Sequence, residues 1–408
     1  MLHVISPDRV LEVIQGAFQP LDRPCQSIDL PAALGRVLGE DITAAEWVPD
    51  FDRATVDGYA LRAADTFGCS DALPALLTCT GKIEMGRSPA DPVAPGCCMA
   101  IPTGGMLPQG ADAVQMVEYT EDYGDGTVGI LKGIAPGGNL IFRGDDVRPG
   151  QLLFHRGRRL SPRDIGALAA LGHTPVSVRS PLQVGVISTG DELLPPQRVP
   201  GPGQVRDVNG ALLGAVAAQA GGTVLHYGIV PDREEELAAV LETAAAACDL
   251  VLLSGGTSVG ERDAAVQVIA RLGEILFHGV AMKPGKPTLL GRVADKPVFG
   301  LPGHPAAALI TADLFVRPMM ARLEGRRLVR YPVSARLAQG VEANHGRAQY
   351  TAVSLRQEDG VLLANPLWSK SGLIAALAGA DGYFCVPQNC EGMHEGQEVL
   401  VTLLSGEA

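Results

Sequence analysis

The sequence predicts a multidomain protein of mixed class, α+β and α/β, with a doubly wound α/β domain near its centre. Three observations carry this reading. Between residues 181 and 323, short apolar runs alternate with helical patterns. From 47 to 143, and again from about Arg330, short alternating runs are broken by Gly, Pro or Asp roughly every ten residues. The first 45 residues and the segment SPRDIGALAALG at 161–172 carry helical spacing instead.

Each element follows from local pattern. Val4–Phe18 has apolar residues at helical spacing, and Ser6-Pro7 is a start signal. A second helix is expected over Ser27–Leu38, with Pro31 in its first turn. The capped helix at 161–172 is expected to rejoin these, which makes 47–143 an inserted β domain. Strands Gln183–Ser188, Val224–Ile229, Leu250–Leu253 and Pro297–Gly300 are continuously apolar, as in a parallel sheet covered on both faces. The intervening helices are expected over Asn209–Ala220, Asp232–Ala247, Asp263–Leu272 and Pro305–Leu323. Four domains result: 1–46 with 144–180, helical; 47–143, β; 181–328, α/β; and 329–408, β.

Bulk properties narrow the function. At 408 residues and 46% apolar, the chain has material for several cores. A net charge of −12 argues against nonspecific nucleic-acid binding. The apolar runs are shorter than a membrane span. The start, MLHVISPDRV, lacks the charged and apolar regions of a signal peptide, so a cytoplasmic location is the default expectation. The eight cysteines (25, 69, 79, 97, 98, 248, 385 and 390) form no CxxC pair, and no HExxH occurs. Reduced structural thiols are expected, and no zinc-finger type of site.

Chemistry concentrates at the expected strand ends. DLVLLSGGTSVGERD runs from an apolar strand into Ser254, Gly255, Gly256, Thr257, Ser258, Val259 and Gly260, with a helix expected from Asp263. Glycines let successive N–H groups converge, hydroxyls add donors, and a helix N-terminus favours negative charge. That suits a phosphate-bearing ligand. VGVIS runs into Ser188, Thr189, Gly190, Asp191 and Glu192, where two carboxylates suit Mg²⁺ or the N–H groups of a heterocycle. A turn cap accounts for Asp191 alone equally well. Only six lysines occur, and Lys283 and Lys286 share the segment MKPGKP. An acidic chain that holds an anion needs such a cationic island. Finally VFGLPGHP, with Pro302, Gly303 and His304, leads into a helix that Pro305 is suited to start.

Together these segments resemble the molybdopterin molybdenumtransferase family, the MoeA and gephyrin E-domain type. FDRATVDGYA at 51–60, IPTGG at 101–105 and RGDD at 143–146 are similar to family motifs. STGDEL, SGGTSVGERD, MKPGKP and GLPGHP follow in the family's order. The resemblance covers nearly the whole chain. It implies a MogA-like α/β domain, an inserted β domain, an N-terminal helical domain and a C-terminal β-barrel domain. It also implies a homodimer with the active site between subunits, and a reaction in which molybdate enters adenylylated molybdopterin with Mg²⁺-dependent release of AMP. Molybdenum is then held by the substrate's own dithiolene sulfurs. A partner adenylyltransferase and a client molybdoenzyme are possible further contacts.

By the same resemblance, residues Ser254 to Gly260 cradle phosphate and pterin, with Asn209, Thr103 and Gly104 also on the substrate. Asp191, Glu192 and Asp263 contact pterin or Mg²⁺. Asp57 and Asp146 approach from the second subunit as catalytic, metal-placing groups. Lys283, Lys286, Arg347 and Ser371 receive molybdate. Two departures fall in the molybdate region: His304 stands where the family has Asn, and Ala307 where it has Ser. RGDD replaces the commoner Gly-Glu-Asp. These departures keep open a paralogue that handles tungstate, and a non-catalytic carrier or scaffold remains the other alternative. An adenylyltransferase or CinA-like deamidase on the same α/β module is disfavoured, because those families lack the inserted domain.

Overall fold

A computed structural model describes residues 4–255, 264–343, 346–367 and 377–404. The chain divides into two compact units: residues 27–34 with 38–178, and residues 1–26, 35–37 and 179–408.

In the first unit, Ser161 caps the helix Pro162–Ala170 through a reciprocal capping box with Asp164, and Arg158 closes on the buried Asp164 at 2.8 Å. Both orphan donors at that helix start are thereby satisfied. Its apolar face packs Leu168 and Leu171 against Leu38, Ile42, Phe154 and Val178. The inserted region forms a six-stranded sheet in the order 113–116, 58–61, 97–101, 75–82, 127–130, 120–122. Gly58–Leu61 lies antiparallel to both neighbours, and Gly58 sits at the strand end beside Asp57.

The helix expected at Ser27–Leu38 is corrected. Cys25–Ile28 is a strand, followed by only a 3₁₀ turn over Leu30–Ala33. Pro31 does start that turn, but Gly35 takes a φ of +73° and ends it at once.

The second unit holds the α/β layer. Its six-stranded sheet runs 223–230, 183–189, 250–254, 296–301, 289–293, 273–278. The first four strands are mutually parallel. Strands Leu289–Val293 and Gly273–His278 are antiparallel additions absent from the sequence reading, so the sheet is mixed. Successive residues feed opposite faces. Val184, Val186, Leu250 and Leu252 enter one core, whereas Ile187, Val251 and Leu253 enter the other. Both faces being covered explains why these strands read as unbroken apolar runs. The helix Pro7–Ala17 also belongs here: Val10 and Ile14 are buried in the first of these cores, not with residues 144–180.

The expected helix Pro305–Leu323 contains a π-turn over Ala312–Val316. Pro318 follows it. That residue has no N–H to give and its ring crowds the carbonyl one turn back, which a wider turn relieves. After residue 332 the chain closes a β-barrel. Ala348–Glu358, Val361–Pro366, Val333–Leu337, Glu398–Leu403 and Gly382–Val386 pair in a ring. Val353, Ala364, Phe384, Val399 and Val401 fill it.

Candidate active site

Parallel strands deliver their polar C-terminal ends to one edge of the sheet. Ser188 is the register partner of Ser254, and Ser254 of Leu301. Asn209, at the start of a helix, ties these ends together. Its Nδ2 donates to Ser254 Oγ at 2.7 Å, to Gly303 O at 2.8 Å and to Pro302 O at 3.3 Å. Carbonyls only accept, so the amide orientation is fixed, and Oδ1 is buried without a partner among the described residues. Gly255 has a φ of +94°, and a Cβ there would lie 2.0 Å from Thr189 O, so no other residue fits this turn. Asp191 and Glu192 are exposed just beyond the buried Ser188 and Thr189. Residues Gly256, Thr257, Ser258, Gly260 and Asp263 lie outside the described residues, as does Ser371.

Sequence reasoning missed Asp232 in this cluster. Thr189 Oγ1 donates to its carboxylate, and its N–H donates to Asp191 Oδ1 at 3.4 Å. The Pro231-Asp232 pair read only as a helix start, which concealed a third carboxylate near this strand end.

The cationic residues meet in a cavity of about 540 Å³. Lys283, Lys286, Arg347 and His304 line it with Pro302, Ala307, Gln349 and Thr351. The barrel makes this possible. Met282–Lys283 adds as a parallel edge strand to Ala348–Glu358, placing Lys283 in register with Gln349. Gly285 turns the lysine loop with a φ of +110°, and Thr288 Oγ1 closes it on Gly285 O at 2.7 Å. No acidic residue lines the cavity among the described residues. His304 occupies the N-cap of Pro305–Thr311 but makes no side-chain cap bond, leaving its imidazole for the cavity. Of these wall residues, Gln349 and Thr351 were not foreseen. In HGRAQY only Arg347 was singled out, by resemblance.

In the other unit, Asp57 Oδ1 accepts from Thr103 N at 2.7 Å and from Thr103 Oγ1 at 3.1 Å. The backbone N–H, then the hydroxyl, hold the exposed Asp57 carboxyl below its usual range. Gly104 completes the turn by donating to Ala54 O at 2.8 Å. Asp146 is exposed, with its N–H on Val48 O at 3.1 Å. Among the described residues, no hydrogen bond or ion pair joins Asp146 to Asp57.

Three family profiles match in order: MoeA N-terminal region (domain I and II) over 5–172, probable molybdopterin binding domain over 185–322, and MoeA C-terminal region (domain IV) over 334–404. The chain belongs to the MoeA family. It is 32% identical to a molybdopterin molybdenumtransferase of Bacillus subtilis, covering 93% of this chain and 90% of that one. It is 33% identical to a putative molybdopterin biosynthesis protein of Methanocaldococcus jannaschii, covering 94% and 93%. The crystal structure of a molybdopterin biosynthesis MoeA protein from Pyrococcus horikoshii superposes with a TM-score of 0.85 at 31% identity, over 98% of this chain and all of that one. In this member of the MoeA family the cationic cavity presents His304 and Ala307 in its wall.

Proposed function

We propose that the protein is a molybdopterin molybdenumtransferase that inserts molybdate into adenylylated molybdopterin and releases AMP. The observation that carries this is the cavity whose lining includes Lys283, Lys286, Arg347 and His304 but no described acidic residue, in a chain of net charge −12. A dianionic metal oxide is what such a wall of donors attracts. The adjacent strand ends suit the rest of the substrate. Ser254 and Gly255 open the phosphate cradle, with Asn209 Nδ2 holding Ser254 to the Pro302-Gly303 turn.

The chain's residues divide the work. Lys283 and Lys286 neutralise the oxyanion, and Arg347 orients it through a planar fork of donors. Asp57, already ionised by its Thr103 donors, accepts a proton or positions water at the phosphoryl group. We further propose that a homodimer brings Asp57, Thr103 and Asp146 to this site from the second copy.

Asp57, Asp146, Asp191 and Asp263 are the carboxylates that would hold Mg²⁺. The donor set fits: Asp57 and Asp191 are exposed hard oxygen ligands. No group of three or more His, Cys, Asp or Glu suited to a metal occurs among the described residues. Mg²⁺ needs only one or two carboxylates when substrate phosphates and water complete its shell. When bound it would neutralise phosphoryl charge.

The test is AMP release from adenylylated molybdopterin with Mg²⁺ and molybdate, followed through the metal content of the pterin. Molybdate-dependent AMP release is expected, and Asp57→Ala should abolish it. Tight substrate binding with no turnover under any oxyanion would leave a carrier or scaffold. Turnover with tungstate alone would direct attention to His304 and Ala307.

A further inference from the structure

Three arginines meet at the amino end of the parallel strands, the end opposite to the candidate active site. Arg23, Arg36 and Arg179 are each half-buried and line one small cavity with Ser180, Gly221 and Glu324. Gly221 precedes the strand Thr223–Val230, which fixes the end concerned. Arg36 Nη2 donates to Arg179 O at 3.1 Å, and Arg179 Nη1 to Glu324 O at 2.9 Å. Both acceptors are neutral carbonyls, so neither bond cancels a guanidinium charge. The Glu324 carboxylate, 4% exposed, is taken by Arg326. Asp249, the next acid, is held by Lys296 at 3.8 Å and by Gln183 N at 2.9 Å. Among the described residues, Arg23, Arg36 and Arg179 form no ion pair. Burial pulls the Arg23 guanidinium below its usual range. Asp249 and Glu324 oppose that pull, and Arg179 and Arg36 add to it.

We propose that Arg23, Arg36 and Arg179 bind a single-atom monovalent anion, of which chloride is the common one, as a structural site of this unit. Like charges held half out of water need a counter-ion, and the protein supplies none. The cavity measures about 10 Å³. That is room for one guest of roughly water size, and not for a tetrahedral oxyanion. Guanidinium N–H groups and the Ser180 hydroxyl only have to point at one centre, which suits a sphere. The three arginines come from separate chain segments, so one ion ties positions 23, 36 and 179 together. This cavity shares no residue with the cationic cavity of the candidate active site. The inference therefore stands apart from the proposed reaction.

Thermal unfolding of the full chain in sodium chloride and in sodium gluconate, at one sodium concentration, tests this. Gluconate is too large for the cavity. Wild type should melt about 2–5 °C higher in chloride, with a gain that saturates as chloride is raised. Arg23→Met keeps an apolar stem and removes the charge, and it should lose that gain. Crystals of wild type soaked in bromide serve if the variant does not fold. An anomalous peak in hydrogen-bond contact with at least two of the three guanidinium groups is expected. Equal melting in the two salts, or no bromide between the arginines, leaves water alone there and overturns the proposal. A gain that survives Arg23→Met places the ion elsewhere and overturns it as well. An Arg23-dependent gain from phosphate as large as that from chloride overturns the single-atom guest.

Discussion

Two clusters of cationic side chains sit in the same compact unit and are built in opposite ways. At the first, Arg317 and Arg330 converge on Asp313, which is 2% exposed. Tyr383 from the barrel adds its hydroxyl to Asp313 at 2.6 Å, and burial with the Asp313 charge pushes that phenol well up. At the second, Lys283, Lys286 and Arg347 line an open cavity with no ion pair among the described residues. The first cluster is saturated and bonds the end of the α/β domain to the barrel. The second leaves positive charge unspent. Desolvated charge that already has its partners serves the fold, whereas charge left half in water without partners is available to a ligand.

The largest way to break this contrast is Asp313→Ala. It strands the buried Tyr383 and the half-buried Arg330 without their shared acceptor. Removing one member of a buried ion pair costs about 3–5 kcal/mol. A lower urea midpoint and melting temperature are expected, with molybdate affinity of the folded protein within two-fold of wild type. Unchanged stability would mean that the cluster is as dispensable as a surface pair.

The converse change is Lys286→Ala. It removes one charge-assisted donor to the oxyanion, worth about 1.5–3 kcal/mol, or roughly ten- to a hundred-fold in affinity. The melting temperature should hold, because no partner is stranded. Calorimetry with molybdate and a thermal scan measure the two halves. A large loss of stability with intact binding would reverse the assignment of the two clusters.

How legible these regions were follows from their physics. The strand ends at Ser188, Ser254 and Pro302 were readable because unbroken apolar runs stop abruptly in Gly, Ser and Pro. Lys283 and Lys286 stood out because lysine is scarce. Gln349 was not readable as a wall residue, because only barrel register sets it beside Lys283. Asp313 was concealed inside a helical pattern, where a π-turn before Pro318 sets its angle. The strands Gly273–His278 and Leu289–Val293 were missed for a similar reason. GEILFH directly follows a helix, and LLGRV is interrupted by a glycine that makes room for Ile269, so neither stands out as an unbroken β run.

The smallest change sharpens the cavity without altering its charge. Ala307 is buried in the first turn of Pro305–Thr311 and lines the cavity, so Ala307→Ser adds one hydroxyl there. A donor that reaches the oxyanion is worth about 0.5–1.5 kcal/mol, a two- to ten-fold gain in molybdate affinity. A competing acceptor lies one turn back, since helical serines often bond the i−4 carbonyl. Here that is Gly303 O, which already receives Asn209 Nδ2 at 2.8 Å. A carbonyl has two lone pairs, so Asn209 does not by itself exclude the serine. Calorimetry separates the two fates. Tighter molybdate binding places the hydroxyl in the cavity and makes Ala307 a position where this chain has relinquished affinity. Unchanged binding with a raised melting temperature places it on Gly303, which would assign Ala307 to the saturated, structural side of the molecule.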